Sequence, residues 1–156
     1  MHPTIVKMKQ IVAERDMNGL QTILAEDVRF LPPTYWAEWT GREPVAAILG
    51  HVIEIFEDFE YRRVMGQGDD WALEFQCKIG ALDCIGVDLL TLNDAGEIQT
   101  FEVVMRPHRT IGELRTRMMA RIKKDRRFLK YREMMMAGAG AKPQARKSLI
   151  SRILGR

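Results

Sequence analysis

The fold is decided by residues 86 to 107, which read GVDLLTLNDAGEIQTFEVVMRP. Two runs rich in apolar residues lie on either side of the turn sequence NDAG at 93 to 96. Runs of this kind around a short polar turn predict a β-hairpin. Because side chains two positions apart lie on the same face of a strand, Asp88 shares a face with Leu90 and Leu92. The hairpin therefore places a carboxyl group on an apolar surface.

The pattern of the hairpin continues on its N-terminal side. Segments of period two at 61–65, 71–79, 84–92 and 97–106 are separated by short turns, which predicts four strands in an antiparallel meander. Apolar residues at helical spacing predict helices over 4–16 and 18–24, a third helix from about 41 to 59, and a long helix from about 111. A short strand is predicted at 27–31. We therefore predict an α+β fold, in which a cone-shaped, curved antiparallel sheet wraps around the N-terminal helices and a C-terminal helical extension follows.

The third long strand carries a further signal. Nearly every residue from Ile85 to Leu92 is apolar. A strand of this composition is typically covered on both faces. If helices cover one face, another protein must cover the other, and the sequence therefore predicts a homodimer.

The composition is that of one globular domain, with 156 residues, 46% hydrophobic and 29% charged. No apolar run approaches the roughly 20 residues that span a bilayer, and the N-terminus has no apolar leader segment, so we expect a cytoplasmic protein. Cys77 and Cys84 match no CxxC spacing and are interpreted as small buried residues. Because the chain has only three histidines besides these cysteines, the sequence predicts neither a metal site nor a cofactor.

Charge divides the chain in two. Residues 1–109 contain 10 Lys and Arg against 18 Asp and Glu, net −8, whereas residues 110–156 contain 14 against 3, net +11. We expect a pocket domain over 1–125 and a basic helical extension over 126–156, of which residues 138–156 are dispensable for folding. The extension either docks on the acidic body or contacts an acidic partner or an anionic membrane. Nucleic acid is disfavoured because no base-stacking, zinc or helix-turn-helix motif accompanies the cations.

Three segments carry a resemblance to a known family: AEDVRF at 25–30, TGREPVAAILG at 40–50 and the stretch at 86–107. Over about residues 4–122 the chain resembles the SnoaL-like branch of the nuclear transport factor 2-like superfamily. The resemblance implies a pocket between the helices and the concave sheet. This superfamily contains isomerases, cyclases, hydrolases, dehydratases, transport adaptors and pure binders, so the resemblance implies a fold and no single activity.

Individual members of the superfamily match the chain only in part. Asp88 lies where the related ketosteroid isomerases place the carboxylic acid of their oxyanion hole. The general base of those enzymes falls near Leu31 and Pro32 here, and their phenol donor falls on the first helix, which has no Tyr. Limonene epoxide hydrolase needs an Asp beside an Arg on the last strand, where this chain reads FEV at 101–103. The resemblance therefore implies neither mechanism in complete form.

Asp88 is the candidate catalytic residue. An ionised carboxylate on an apolar face is unfavourable without a partner, so Asp88 either faces a functional pocket or is salt-bridged or edge-facing. The candidate ligand-binding residues are Tyr35, Trp36, Trp39, His51, Leu90, Phe101, Met105 and Arg106.

Several of these residues have a structural alternative. The aromatic residues of the loop at 34–39 either contact a ligand at the pocket mouth or cap the core. His51 is a pocket base or a core or interface histidine. Arg106 can bind an anionic group, but strand parity turns it away from Met105 unless the strand end near Pro107 twists or bulges.

Together, these features predict a protein that binds a small apolar or aromatic molecule of polyketide, steroid or terpenoid character. If the protein is an enzyme, the reaction is metal-free isomerisation, cyclisation or dehydration with Asp88 as acid or base. The alternative is a non-catalytic ligand carrier or interaction protein, because the acid–base set of the related enzymes is incomplete.

Overall fold

A computed structural model describes residues 1–138 and contains, within them, five helices and six strands. The helices are α1 (Pro3–Glu14), α2 (Met17–Leu20), α3 (Arg42–Ile55), α4 (His108–Lys124) and α5 (Arg127–Gly138). The strands are β1 (Leu24–Leu31), β2 (Trp39–Thr40), β3 (Glu57–Gln67), β4 (Asp70–Ile79), β5 (Leu82–Leu92) and β6 (Ile98–Arg106). The part of the basic extension beyond residue 138 lies outside the described residues, and the choice between docking and partner contact for that part stays a prediction.

The six strands form one curved sheet in the order β2-β1-β6-β5-β4-β3. Strands β3 to β6 make the predicted antiparallel meander. Strand β1 is parallel to β6, which differs from the antiparallel arrangement predicted for the sheet. The prediction from turn length does not extend to this pair, because α3 and four strands separate β1 from β6 in the chain and no hairpin joins them.

The core lies between the inner face of the sheet and the apolar stripes of the helices. Helix α1 contributes a stripe at helical spacing, consisting of Ile5, Met8, Ile11 and Val12. Strand β5 contributes every second residue, namely Cys84, Gly86, Asp88, Leu90 and Leu92, all of them buried. The α+β fold predicted from the sequence is confirmed.

Gly86 allows an aromatic ring to lie directly on β5. A Cβ atom at this position would be 2.2 Å from the Cζ atom of Phe75, which pairs with Gly86 across β4 and β5. The Phe75 ring therefore occupies the space that a side chain would need, and it stacks on Phe59 at a centroid distance of 5.0 Å. The Phe75 ring therefore covers the inner face of β5 at Gly86, two residues before Asp88 on the same strand.

The outer face of the meander is partly apolar. Leu89 is 39% exposed and Val104 is 52% exposed, and both point away from the core on the neighbouring strands β5 and β6. Ile85 and Val87 on the same face of β5 are half-buried. Within residues 1–138, the chain therefore fully covers only one face of β5, and the second copy expected on the other face stays a prediction.

Helix α5 packs onto the core, although the sequence predicted a separate extension from residue 126. Phe128 and Tyr131 are each 1% exposed. The Phe128 ring lies edge-on to Trp39 at a centroid distance of 5.6 Å, and the Tyr131 hydroxyl donates to Glu43 Oε1 at 3.1 Å. The predicted division after residue 125 thus does not separate two packing units. The packing of α5 onto the core is hard to predict from the sequence, because Phe128 and Tyr131 lie in a basic, Met-rich stretch.

Replacing Phe128 by Ala should lower the free energy of unfolding by about 3–5 kcal/mol, because removing a fully buried ring leaves a cavity. The matched control is Leu129→Ala, since Leu129 is 64% exposed on the same helix. The control should change the free energy by no more than about 0.5 kcal/mol. Urea unfolding followed by circular dichroism measures both variants. Equal free energies of unfolding for the Phe128→Ala and Leu129→Ala variants would show that α5 does not belong to the core.

Two chains should associate through the outer face of β5 and β6, because burial of the exposed aliphatic side chains there lowers the free energy. Sedimentation at micromolar concentration should give a mass near twice 18.0 kDa. Val104→Glu should shift the protein to monomer, whereas Val6→Glu should not, since Val6 on α1 is equally exposed at 52% but lies on another surface. A monomer at every concentration, or dissociation by both variants alike, contradicts this dimer.

Candidate functional site

A small cavity of about 50 Å³, called the inner cavity, lies between the inner face of the sheet and helices α1, α3 and α4. Five phenylalanines line it, namely Phe30, Phe56, Phe59, Phe75 and Phe101. Among all its lining residues, which belong to the described part of the chain, only Asp88 and Tyr61 carry a polar side chain. The inner cavity is therefore an apolar space that contains one carboxyl and one phenol.

Asp88 and Tyr61 form a hydrogen-bonded pair on the cavity wall. The Tyr61 hydroxyl donates to Asp88 Oδ2 at 2.7 Å. Because Tyr61 lies on β3 and Asp88 on β5, the bond crosses the intervening strand β4. Asp88 Oδ1 makes no hydrogen bond to any described residue, and this oxygen stays available to a molecule in the cavity.

Burial raises the pKa of Asp88 to about 7, because the apolar walls disfavour the charged form of its carboxyl. The hydrogen bond from Tyr61 acts in the opposite direction, since it stabilises the ionised carboxylate. Burial and the neighbouring Asp88 raise the pKa of Tyr61 well above its usual value, so the phenol keeps its proton. Near neutral pH, Asp88 therefore populates both protonation states beside a neutral hydrogen-bond donor.

A second space, called the outer cleft, lies next to the inner cavity. It has a volume of about 360 Å³, and four residues line both spaces, namely Phe30, Pro33, Val52 and Leu114. The loop at 32–39 forms one wall of the outer cleft, and helices α4 and α5 form another. Because the two spaces share these walls, the outer cleft lies directly beside the cavity that contains Asp88.

The three aromatic residues of the loop occupy different positions. Tyr35 and Trp39 line the outer cleft, where Trp39 Nε1 donates to the Tyr35 hydroxyl at 2.6 Å. Trp39 belongs to β2 and pairs with Phe30 of β1, and its buried ring packs against α5. Trp36 is 100% exposed and lines neither space, which corrects the prediction that it contacts a ligand.

The predicted strand residues divide between the cavity, the core and the surface. Phe101 and Met105 of β6 line the inner cavity together with Asp88. Leu90 is buried in the core and is not part of the cavity wall. Arg106 is exposed on the outer face of the sheet. The predicted pocket role of Arg106 is therefore wrong, because neighbouring strand residues face opposite sides and Met105 faces inward.

His51 contacts the junction between α4 and α5 and does not line the inner cavity. Its Nε2 atom lies 2.9 Å from Asp125 Oδ2, and its Nδ1 atom accepts from Arg121 Nε at 3.2 Å. Arg127 also donates to Asp125 and holds the pKa of that carboxyl well below its usual range. The prediction of a pocket base is therefore wrong, and the structural alternative describes His51.

Tyr61 is the candidate that sequence reasoning missed. The resemblance placed the phenol donor on the first helix, but that helix contains no Tyr. A signal was present on β3, because Phe59 and Tyr61 are two positions apart and side chains at that spacing share a face. A β-bulge follows Tyr61 and disturbs the alternation in the rest of β3, which obscures this signal.

Three further observations concern cysteines, metals and membranes. Cys77 and Cys84 face each other across β4 and β5 as free thiols, and both are buried as predicted. Among residues 1–138, no three His, Cys, Asp or Glu side chains lie close enough together to hold a metal ion. No helix in the same range is long and apolar enough to cross a membrane.

Comparison with known proteins finds one family and several solved structures. A family model described as SnoaL-like domain matches residues 6–118. An uncharacterized protein with a cystatin-like fold from Silicibacter pomeroyi is 63% identical, with a TM-score of 0.83, and the match covers 85% of this chain and 94% of that chain. A steroid delta-isomerase from Pseudomonas aeruginosa is 32% identical, with a TM-score of 0.75, and the match covers 78% of this chain and 90% of that chain. No curated protein matches the chain.

The raised pKa of Asp88 predicts a pH-dependent cost of folding that Asp88→Asn removes. Below pH of about 4 the carboxyl is protonated in both states, and between about 4 and 7 only the folded chain keeps the proton. The free energy of unfolding of the native protein should therefore fall over this range relative to that of the variant, by up to about 4 kcal/mol. Thermal unfolding of both proteins from pH of about 4 to 8 measures the difference. A difference that does not grow with pH contradicts the raised pKa.

Proposed function

Because the chain belongs to the SnoaL-like domain family, we propose that its inner cavity binds a small apolar molecule on which Asp88 transfers a proton. The observation that carries this proposal is the Asp88–Tyr61 pair, which supplies the only polar side chains in the cavity wall within the described residues. A ligand of polyketide, steroid or terpenoid character suits the phenylalanine-rich walls. The similarity to a protein named steroid delta-isomerase supports the same class of ligand.

The proposed step is the movement of a double bond in an unsaturated ketone. Ionised Asp88 takes a proton through Oδ1 from the carbon between the carbonyl and the double bond, and the electron pair left behind enters the conjugated system. The same carboxyl then returns the proton to the far end of that system, so no co-reactant is consumed. Tyr61 holds Oδ2 and orients the carboxyl throughout. Tyr61 is thus a positioning residue in this step.

The environment of Asp88 suits proton transfer at neutral pH. A general base works best when its pKa lies near the working pH, and burial raises the pKa of Asp88 to about 7. An unshifted aspartate would be a far weaker base. The apolar walls also keep bulk water away from the carboxyl, which strengthens the interaction of its charge with a bound molecule.

A non-catalytic ligand carrier is the second candidate function. One observation favours it, because no titratable side chain other than Asp88 and Tyr61 lines the inner cavity in the described part of the chain. The hydroxyl of Tyr61 already donates to Asp88, which leaves no separate donor for the oxygen that gains charge during the proposed step. In a carrier, the pair would orient a ligand by hydrogen bonding alone.

Asp88→Asn should lower turnover of a β,γ-unsaturated ketone by about 100-fold or more and leave its affinity nearly unchanged, because the amide keeps the shape but cannot exchange a proton. The substrates are a panel of neutral steroid and terpenoid ketones of this type, followed by ultraviolet absorbance of the conjugated product. The matched control is Asp94→Asn in the exposed turn after β5, which should retain full turnover.

The pH dependence of the same assay separates the roles of the two residues. For the native protein, kcat/KM should rise as pH passes through about 7, because Asp88 acts in its ionised form. In Tyr61→Phe the midpoint should move to higher pH, because the hydrogen bond that stabilises the carboxylate is lost. Tight binding of several panel members without turnover of any would contradict the enzyme and favour the carrier.

A further inference from the structure

Part of the outer cleft, which forms the mouth of the site, is built from chain beyond the matched family domain, which ends at residue 118. The end of α4 and helix α5 form one wall of the outer cleft. This wall carries four methionines, namely Met118, Met119, Met135 and Met136. Unbranched thioether side chains adapt their shape to a bound molecule. The outer cleft is thus an adaptable apolar passage in front of the inner cavity.

Two arginines are the only charged side chains that line the outer cleft among residues 1–138, and both are exposed. Arg115 extends from α4 and Arg132 from α5. Neither forms an ion pair with any described residue. Burial raises the pKa of Tyr35, and the Arg132 charge opposes this shift, which is consistent with a guanidinium close to the phenol in the same cleft. The mouth therefore carries positive charge without a compensating carboxylate.

The inner cavity has the opposite electrostatic character. Its only ionisable side chains in the described chain are Asp88 and Tyr61, and no Lys or Arg lines it. An anionic group placed there would lose its hydration without gaining a cation, and it would lie beside a second acid. An anionic group of a ligand is therefore excluded from the inner cavity and favoured at the mouth.

We propose that the site takes an elongated amphipathic carboxylate, whose apolar body enters the inner cavity and whose carboxylate binds Arg115 and Arg132 at the mouth. The outer cleft and the inner cavity are adjacent, because they share four lining residues. Guanidinium groups bind carboxylates through charge-assisted hydrogen bonds. This inference rests on the proposed function for the position of the apolar body, and it does not require Asp88 to be catalytic. In a substrate of this class, the reacting carbons lie at the end remote from the carboxylate.

Calorimetric titration of the full chain with decanoate and with 1-decanol tests the charge of the ligand. At slightly alkaline pH, decanoate should bind at least about tenfold more tightly, because it makes the same apolar contacts and adds charge-assisted hydrogen bonds. Octanoate and dodecanoate test the apolar body. Affinity should rise about fourfold for each added methylene, which is the gain expected for burial of that group.

Four variants test the two arginines. Arg115→Gln and Arg132→Gln should each weaken the binding of decanoate about five- to tenfold and leave that of 1-decanol unchanged. The matched controls are Arg109→Gln on α4 and Lys130→Gln on α5, which remove an exposed charge that lines neither space. Both controls should leave both affinities unchanged.

The possible results separate this inference from the proposed function. Equal affinities for decanoate and 1-decanol, or equal losses in the control variants, overturn the assignment of the carboxylate to the two arginines. If affinity does not rise from octanoate to decanoate to dodecanoate, the apolar body does not enter the inner cavity and that part of the proposal is wrong. Turnover of neutral ketones without a preference for decanoate contradicts this inference alone. Decanoate binding that depends on the arginines, without turnover of any ketone, contradicts the catalytic proposal alone.

Discussion

The inner face of the meander β3 to β6 is apolar and must be covered, and this constraint governs the rest of the structure. Straight helices cover a curved sheet incompletely, so space remains between α1, α3 and α4 and the strands. Large aromatic side chains fill part of that space, and the close approach of Phe75 to Gly86 shows how tightly they do so. What they leave open is the inner cavity. The binding site is therefore a direct result of how the core is closed.

The Asp88 carboxyl lowers the stability of this core. Burial disfavours its charge, and Tyr61 alone compensates with a hydrogen bond among the described residues. A Leu at the same position would pack against apolar neighbours without any such cost. Natural proteins keep residues that violate local packing rules mainly where function requires them. The burial of Asp88 is thus a physical argument for function that does not depend on any relative.

The parts of the structure that the sequence predicted follow from local periodicity. Period two and short turns predicted the meander, and strand parity placed Asp88 on the inner face. Features that depend on long-range pairing were missed. Whether Trp36 or Trp39 faces the cleft depends on the register of β2 with β1, and no local pattern encodes that register. The burial of Phe128 depends likewise on a partner surface around Trp39 that lies far away in the chain. The parallel pairing of β1 with β6 depends on the path of the whole chain between them.

The inner cavity and part of the wall of the outer cleft come from different segments of the chain, because α5 lines only the outer cleft. The inner cavity lies within the matched domain, whereas the wall of the outer cleft includes Arg132, Met135 and Met136 of the helix that follows it. Substitutions on the entrance side of α5 can change which molecules are admitted without altering the Asp88–Tyr61 pair. Phe128 and Tyr131 anchor the same helix in the core. Changes at Arg132, Met135 and Met136 can therefore alter the shape of the outer cleft while the inner cavity keeps the same walls.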